Sequence, residues 1–189
     1  MSENLATEPT RRLLTLRQAD TVQRLTDAGV EEVRESGYEN LSIRDVARRA
    51  GVAAATAYTY FASKDHLLTE IFWRRLSALP PVDAVESAPR SDRIEAVLRE
   101  LALLVSSEPE LAAGCTAAMF GSEPDVRQLR LYIGRKIHQR IEAAAGAGSQ
   151  EARLLELAYF GAMVEAGLGY TTYEHMADRL AEAAEFIMG

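Results

Sequence analysis

The 189-residue chain has a single cysteine, Cys115, so no disulfide can close within it, and a reducing compartment is the expectation. It has two lysines against 19 arginines, and three histidines, His66, His138 and His175, far apart in sequence. None of these histidines has a neighbour at metal-ligand spacing. No apolar run approaches the roughly 18 residues that span a bilayer, and the first dozen residues lack the apolar centre of a signal peptide. There is no glycine-rich phosphate loop, and Cys115 has no base near it. Alternating strand patterns and hairpin dipeptides are nearly absent. These gaps argue against an enzyme, a metal site and a bound cofactor. What they leave is the expectation of a cytoplasmic, all-α protein.

What is present is ordinary in amount: 48% hydrophobic and 26% charged residues. Charge is unevenly spread. Residues 1–79 are neutral overall, whereas residues 80–189 carry the whole net charge of −7. Inside the neutral part, residues 41–64 hold Arg44, Arg48, Arg49 and Lys64 against Asp45 alone. A locally basic segment in an acidic chain still suits an anionic polymer. Apolar spacing predicts a long helix from Leu16 to Ser36, stopped at Gly37. Ser42 and Ser63 are placed to cap helices over 43–50 and Lys64–Leu79, with a short helix Ala53–Tyr60 between them. Pro80 and Pro81 open a linker over 80–90. Further helices are expected over Ser91–Ser106, Pro109–Phe120, Pro124–Ala145, Gln150–Tyr170 and Tyr173–Met188. The predicted division is an N-terminal part of about 80 residues and a larger helical part behind it.

The stretch GVAAATAYTYFASKDHLL, residues 51–68, carries the functional signal. Two short helices joined at Gly51 make a helix-turn-helix, whose second helix enters the DNA major groove. Short side chains there let the backbone approach the bases. Ala53, Ala54, Ala55 and Ala57 fit that need, and their methyls can meet thymine methyls. Thr56, Tyr58 and Thr59 offer hydroxyls, while Tyr60 and Phe61 turn back to lock the helix in place. Lys64 adds charge to a helix N-terminus that already favours phosphate.

The run Leu41-Ser42-Ile43-Arg44-Asp45-Val46-Ala47, with Ala50-Gly51-Val52, Thr56-Ala57-Tyr58-Thr59-Tyr60-Phe61-Ala62-Ser63-Lys64 and Leu67-Leu68, resembles the signature of the TetR family of bacterial transcriptional regulators. Gly37-Tyr38 fits the same pattern. The resemblance implies that Arg44 reaches a base edge and that Ser42, Thr56, Tyr58, Thr59 and Lys64 touch the DNA backbone. Two positions depart from it: Ala57 stands where leucine is usual, and Ala55 where glycine is frequent. The first predicts a looser recognition helix. Arg48 and Arg49 read as solvated or as distant phosphate contacts, and Arg11, Arg12 and Arg17 as a candidate minor-groove arm.

In the second part, residues 157–164 carry no charge, which predicts a helix covered on every side. Ala158, Gly161 and Ala162 permit close helix approach, and the last helix offers Met176, Leu180, Ala183, Ala184 and Ile187 at helical spacing. The resemblance implies that the last two helices of two subunits pair as a four-helix dimer interface. Leu104, Cys115, Met119, Phe120, Tyr132, Tyr159 and Met163 are candidates to line an apolar effector cavity. The resulting expectation is a homodimeric repressor, released from a near-palindromic double-stranded DNA operator by a small apolar effector. An activator or architectural factor of the same fold without effector is the alternative, as is a helical module that uses residues 51–68 to dock a protein.

Overall fold

The computed structural model describes residues 15–82 and 89–188, so Arg11, Arg12 and most of the predicted linker lie outside the described residues. Among the described residues there are nine helices and no strand. These are α1 (Leu16–Asn40), α2 (Ile43–Arg49), α3 (Ala54–Tyr60), α4 (Lys64–Ala78), α5 (Arg90–Ala102), α6 (Pro109–Met119), α7 (Pro124–Ala145), α8 (Gln150–Gly167) and α9 (Tyr173–Met188). None is long and apolar enough to cross a membrane.

Local chemistry sets most of the boundaries. Thr15 and Gln18 form a reciprocal cap at the start of α1. Ser42, Ser63 and Ser149 each accept a main-chain N–H in the first turn of α2, α4 and α8. Proline opens α6 and α7, where a missing N–H costs nothing. Gly37 breaks α1 as its sequence predicts: at φ 72° it leaves the helix, and one more turn carries the chain to Asn40. Two helices end earlier than their apolar spacing suggests. Helix α5 gives way at Leu103, whose carbonyl takes the Ser106 hydroxyl at 3.1 Å. Helix α8 ends at Gly167, and Gly169 at φ 78° turns the chain away.

Helix α1 packs on both α2 and α4, and α2 carries α3, while α5, α7, α8 and α9 build the other part. Helix α6 joins the two, packing along both α1 and α4. It lies close because Gly114 has no side chain. A Cβ there would stand 3.2 Å from Leu68 and 3.4 Å from Val33. The core runs without a break from Val22, Leu25 and Phe72 through Leu111 to Ile133 and Leu155. Each such buried side chain contributes about 1.5–3 kcal/mol relative to exposure.

Candidate nucleic-acid interface and effector cavity

The helix-turn-helix is tied down from beneath. Arg49 donates to Glu32 at 2.7 Å and also to Glu35, fastening α2 to α1. Those hydrogen bonds, Glu35 first, hold the Arg49 guanidinium protonated well above its ordinary range and pull the Glu35 carboxyl down. Arg49 is therefore a clamp on the surface of the head, exposed but paired with two carboxylates. Arg48 pairs with Asp45 at 2.9 Å on the same helix. Arg24 reaches across to the carbonyls of Ala50 and Gly51, closing the turn where Gly51 takes φ 64°.

Against this scaffold α3 presents a nearly bare surface. Ala53, Ala54, Ala55, Thr56, Tyr58 and Thr59 are exposed, and only Ala57 of the helix is fully buried. The small Ala57 lets α3 sit directly on the core, and Phe61 beside it is buried against the His66 ring at 5.5 Å. The Thr59 hydroxyl donates to the Ala55 carbonyl at 3.0 Å, so it faces outward as an acceptor only. Arg44 is exposed on α2 and has no carboxylate partner among the described residues. Ser42 is occupied as the α2 cap, its oxygen accepting the Asp45 N–H at 3.2 Å. Arg17 is exposed at the start of α1.

Lys64 has partners that local sequence does not suggest. Its ammonium donates to the carbonyls of Tyr38 at 2.8 Å and Glu39 at 3.2 Å, and lies 4.1 Å from the centre of the Tyr38 ring. The Tyr38 hydroxyl in turn donates to Asp65 at 2.8 Å. A cation thus closes the C-terminal end of α1 while standing at the N-terminus of α4.

Two acidic residues outside the head grip it. Glu108, just before α6, accepts from Arg34 at 2.9 Å and Arg75 at 2.5 Å. Burial works against its charge, yet those two arginines hold its carboxyl below the usual range. Glu123, just before α7, accepts the Ser63 hydroxyl at the cap of α4. Neither contact was visible in the sequence, because the partners lie 33 to 74 positions apart.

Between α6, α7 and α8 lies an apolar cavity of about 410 Å³. Helix α6 supplies Thr116, Met119 and Phe120; α7 supplies Arg130, Ile133, Gly134 and Ile137; α8 supplies Phe160, Met163 and Val164. Three of the seven predicted effector residues, Met119, Phe120 and Met163, line it. The other four sit elsewhere. Cys115 is buried against α4, its thiol toward the Leu68 carbonyl, and burial pushes that thiol up to about 12, which leaves it inert. Tyr132 packs beside Trp73, Tyr159 is buried in the core, and Leu104 is half-buried after α5. Arg130, Thr116 and Phe160 were missed, although 130, 133 and 137 recur at helical spacing on α7. No group of three or more His, Cys, Asp or Glu among the described residues is placed to hold a metal.

The outer face of α8 differs from its expected all-round cover. Leu154, Leu157, Gly161 and Leu168 are exposed along one side, at spacings of three, four and seven, with Ala158 half-buried beside them. On α9, Phe186 is exposed and Ala183 and Ile187 are half-buried. Met176 and Leu180 face the other way: both are buried within the subunit, where α9 packs on α5 and α8, and so are not available to a partner. Ala162 is half-buried toward the inner side.

The profile described as "Bacterial regulatory proteins, tetR family" matches residues 25–71, the span that builds this head. An HTH-type transcriptional regulator of Mycobacterium tuberculosis H37Rv is 44% identical over 176 residues, 91% of this chain and 82% of the relative. The chain belongs to the TetR family. A further relative is the HTH-type transcriptional repressor KstR of Rhodococcus jostii, 25% identical over 183 residues, or 91% of this chain and 84% of that one. The crystal structure of the transcriptional regulator FadR from Bacillus subtilis in complex with stearoyl-CoA shares the fold, with a TM-score of 0.64 at 20% identity, over 86% of this chain and 96% of that one. As a TetR-family member the chain is a DNA-binding transcription regulator with a helix-turn-helix head.

Proposed function

We propose that this regulator is a homodimeric repressor, released from a near-palindromic operator when an apolar effector enters the cavity between α6, α7 and α8. The observation that carries the reading is the position of α6. Its C-terminal end walls the cavity, and its length packs on α1 and α4 of the head. An occupant that fits one placement of α6 better than another shifts the head with it, and only such differential binding produces a switch. A cavity of this size, apolar with few polar groups, suits a small ligand. FadR, solved with stearoyl-CoA, and the repressor KstR support an apolar effector and repression respectively.

In this reading residues 18–78 bind DNA, and residues 90–189 bind ligand and dimerise. Arg44, Thr56, Tyr58 and Thr59 carry polar DNA contacts around the small surface of Ala53 and Ala54, with Ser42 and Lys64 at the phosphates. The dimer forms through the outward stripe of Leu154, Leu157, Ala158, Gly161 and Leu168 with Ala183, Phe186 and Ile187. A two-fold dimer presents its recognition helices one or more DNA turns apart, roughly 34–36 Å per turn.

The test is operator titration by fluorescence anisotropy on the protein's own promoter DNA, with sedimentation to follow mass. Leu157→Glu should give a folded monomer with far weaker operator binding. A Leu157→Glu protein that stays dimeric removes this face from the interface. Salt-independent or absent DNA binding by the wild-type dimer overturns the repressor reading.

A further inference from the structure

We infer that the cavity takes a ligand with an anionic head on a long apolar chain, and that Arg130 is the head-group residue. The inference rests on the cavity being the effector site. Its interior is apolar. Ile133, Ile137 and Met163 are buried, Gly134 leaves open space beside them, and the Thr116 hydroxyl is already engaged with Tyr173 at 3.0 Å. The exposed members of the lining are Phe120, Phe160 and Arg130. Charge therefore stands only at the rim, and it is positive.

Arg130 is held ready for an anion. One guanidinium nitrogen donates to the Met119 carbonyl at 2.6 Å and the Gly121 carbonyl at 3.4 Å, which fixes the side chain at the end of α6. Its Nε and second Nη keep donors with no partner among the described residues, in the fork that matches a carboxylate or phosphate. No carboxylate among the described residues pairs with it. The same is true of Arg127, exposed one turn away on α7. Elsewhere in this acidic chain Arg34, Arg49, Arg75, Arg140 and Arg179 all sit on carboxylates. The acidic residues at the start of α7 are turned toward the head instead: Glu123 holds Ser63, and Asp125 lies 3.9 Å from His66. Arg130 therefore brings a fixed guanidinium, with donors that no described residue takes up, to the mouth of an apolar cavity.

The cavity of about 410 Å³ has room for an alkyl chain. Myristate, a saturated carboxylate, is the probe, and 1-tetradecanol is its neutral match. Myristoyl-CoA distinguishes a free carboxylate from a thioester whose charge lies on phosphates.

Isothermal titration of the full-length dimer with all three ligands tests the inference. The wild type should bind myristate or myristoyl-CoA about tenfold or more tighter than tetradecanol, as a charge-assisted hydrogen bond implies. Arg130→Gln should erase that preference by weakening the anions far more than tetradecanol, and Arg130→Lys should restore part of it. Whichever anion binds tighter names the source of the head. Equal binding of alcohol and anions, or a preference that survives Arg130→Gln, overturns the head-group assignment and leaves the cavity reading standing. Failure of every ligand to bind, or binding undiminished by the cavity-filling Met163→Trp, overturns both. Because Arg130 also caps α6, thermal melts of each variant separate lost binding from lost structure.

Discussion

The Lys64 ammonium stands 2.8 Å from the main-chain carbonyl of Tyr38 and 4.1 Å above that residue's ring. One residue thus joins the end of α1 to the start of α4, on the side where DNA is proposed to lie. Lys64→Ala should lower stability by about 0.3–1 kcal/mol through the lost helix-end charge. If one ammonium hydrogen also meets a phosphate, the salt slope of operator binding should flatten by roughly two units per dimer. Thermal melts and operator titrations at several salt concentrations read the two effects separately. A lower melting temperature with an unchanged slope makes Lys64 a structural clamp alone.

Arg44 is exposed with no carboxylate partner among the described residues, beside α3, whose exposed face offers few hydrogen bonds. Arg44→Ala should relax base preference near the edge of each half-site, at about 1–3 kcal/mol for a bidentate guanine contact. Single-base operator scans with both proteins check this. Uniform weakening across all variants would reassign Arg44 to the phosphates.

Glu108 joins α6 to the head through Arg34 and Arg75, and its carboxyl is held below the ordinary value of 4.5. Because the folded value is depressed, this stabilisation is present above about 4.5 and is lost as pH falls through the folded value. Glu108→Gln should cost about 1–3 kcal/mol at neutral pH. It should also remove part of the acid sensitivity seen in melts between about pH 3 and 6. An unchanged acid profile would mean that the junction is held by apolar packing alone.

His138, between α7 and α8, bonds Glu156 at 2.8 Å and lies 3.3 Å from Glu142. Chiefly through Glu156, its proton is held above the ordinary value of 6.5. The contribution is therefore complete below 6.5 and is lost as pH rises through the raised folded value. Glu156→Gln should flatten the stability profile over about pH 6 to 8 and lower the melting temperature most at the acid end of that window. A profile of unaltered slope would detach His138 from the packing of α7 against α8.

Gly167 has no room for a side chain. A Cβ there would fall 2.1 Å from the Thr116 methyl and 2.6 Å from its Cβ. Gly167→Ala should push α8 away from α6, cost about 1–3 kcal/mol, and disturb the Thr116–Tyr173 hydrogen bond at the inner wall of the cavity. Calorimetric unfolding with myristate titration of the same protein tests this. Wild-type stability and binding would show that α8 shifts freely at its end.

The head was legible because its signals are local. Ser42 and Ser63 cap within one turn, Gly51 needs φ 64°, and Phe61 is buried one residue past α3. The second part gave less away. A run such as 157–164 is apolar on every side, so periodicity cannot say which side faces out. The answer came from how α9 packs on α5 and α8: Met176 and Leu180 are buried there, while Leu157 and Phe186 stay bare. The cavity was half legible for the same reason. Met119 and Met163 carry the marks of a greasy wall, but equally apolar Tyr159 fills solid core. Nothing in the spacing of Arg130, Ile133 and Ile137 says that the space they face is empty. Looseness predicted from Ala57 is a matter of what it touches, and it is fully buried in contact with the core.

Helix α3 gives the core one side chain, Ala57, and leaves six of its neighbours from Ala53 to Thr59 to the solvent. On this helix the residue that folds the head and the residues proposed to meet DNA are therefore separate sets, whereas Ser42 and Lys64 belong to both. If the proposed contacts hold, mutations at the outer positions alter which base pairs are favoured with little folding penalty, since surface changes of this kind shift stability by only about half a kcal/mol. On the proposed reading, a lineage carrying this head can wander between operators one substitution at a time, each intermediate still folded, while the cavity between α6, α7 and α8 drifts on an independent course.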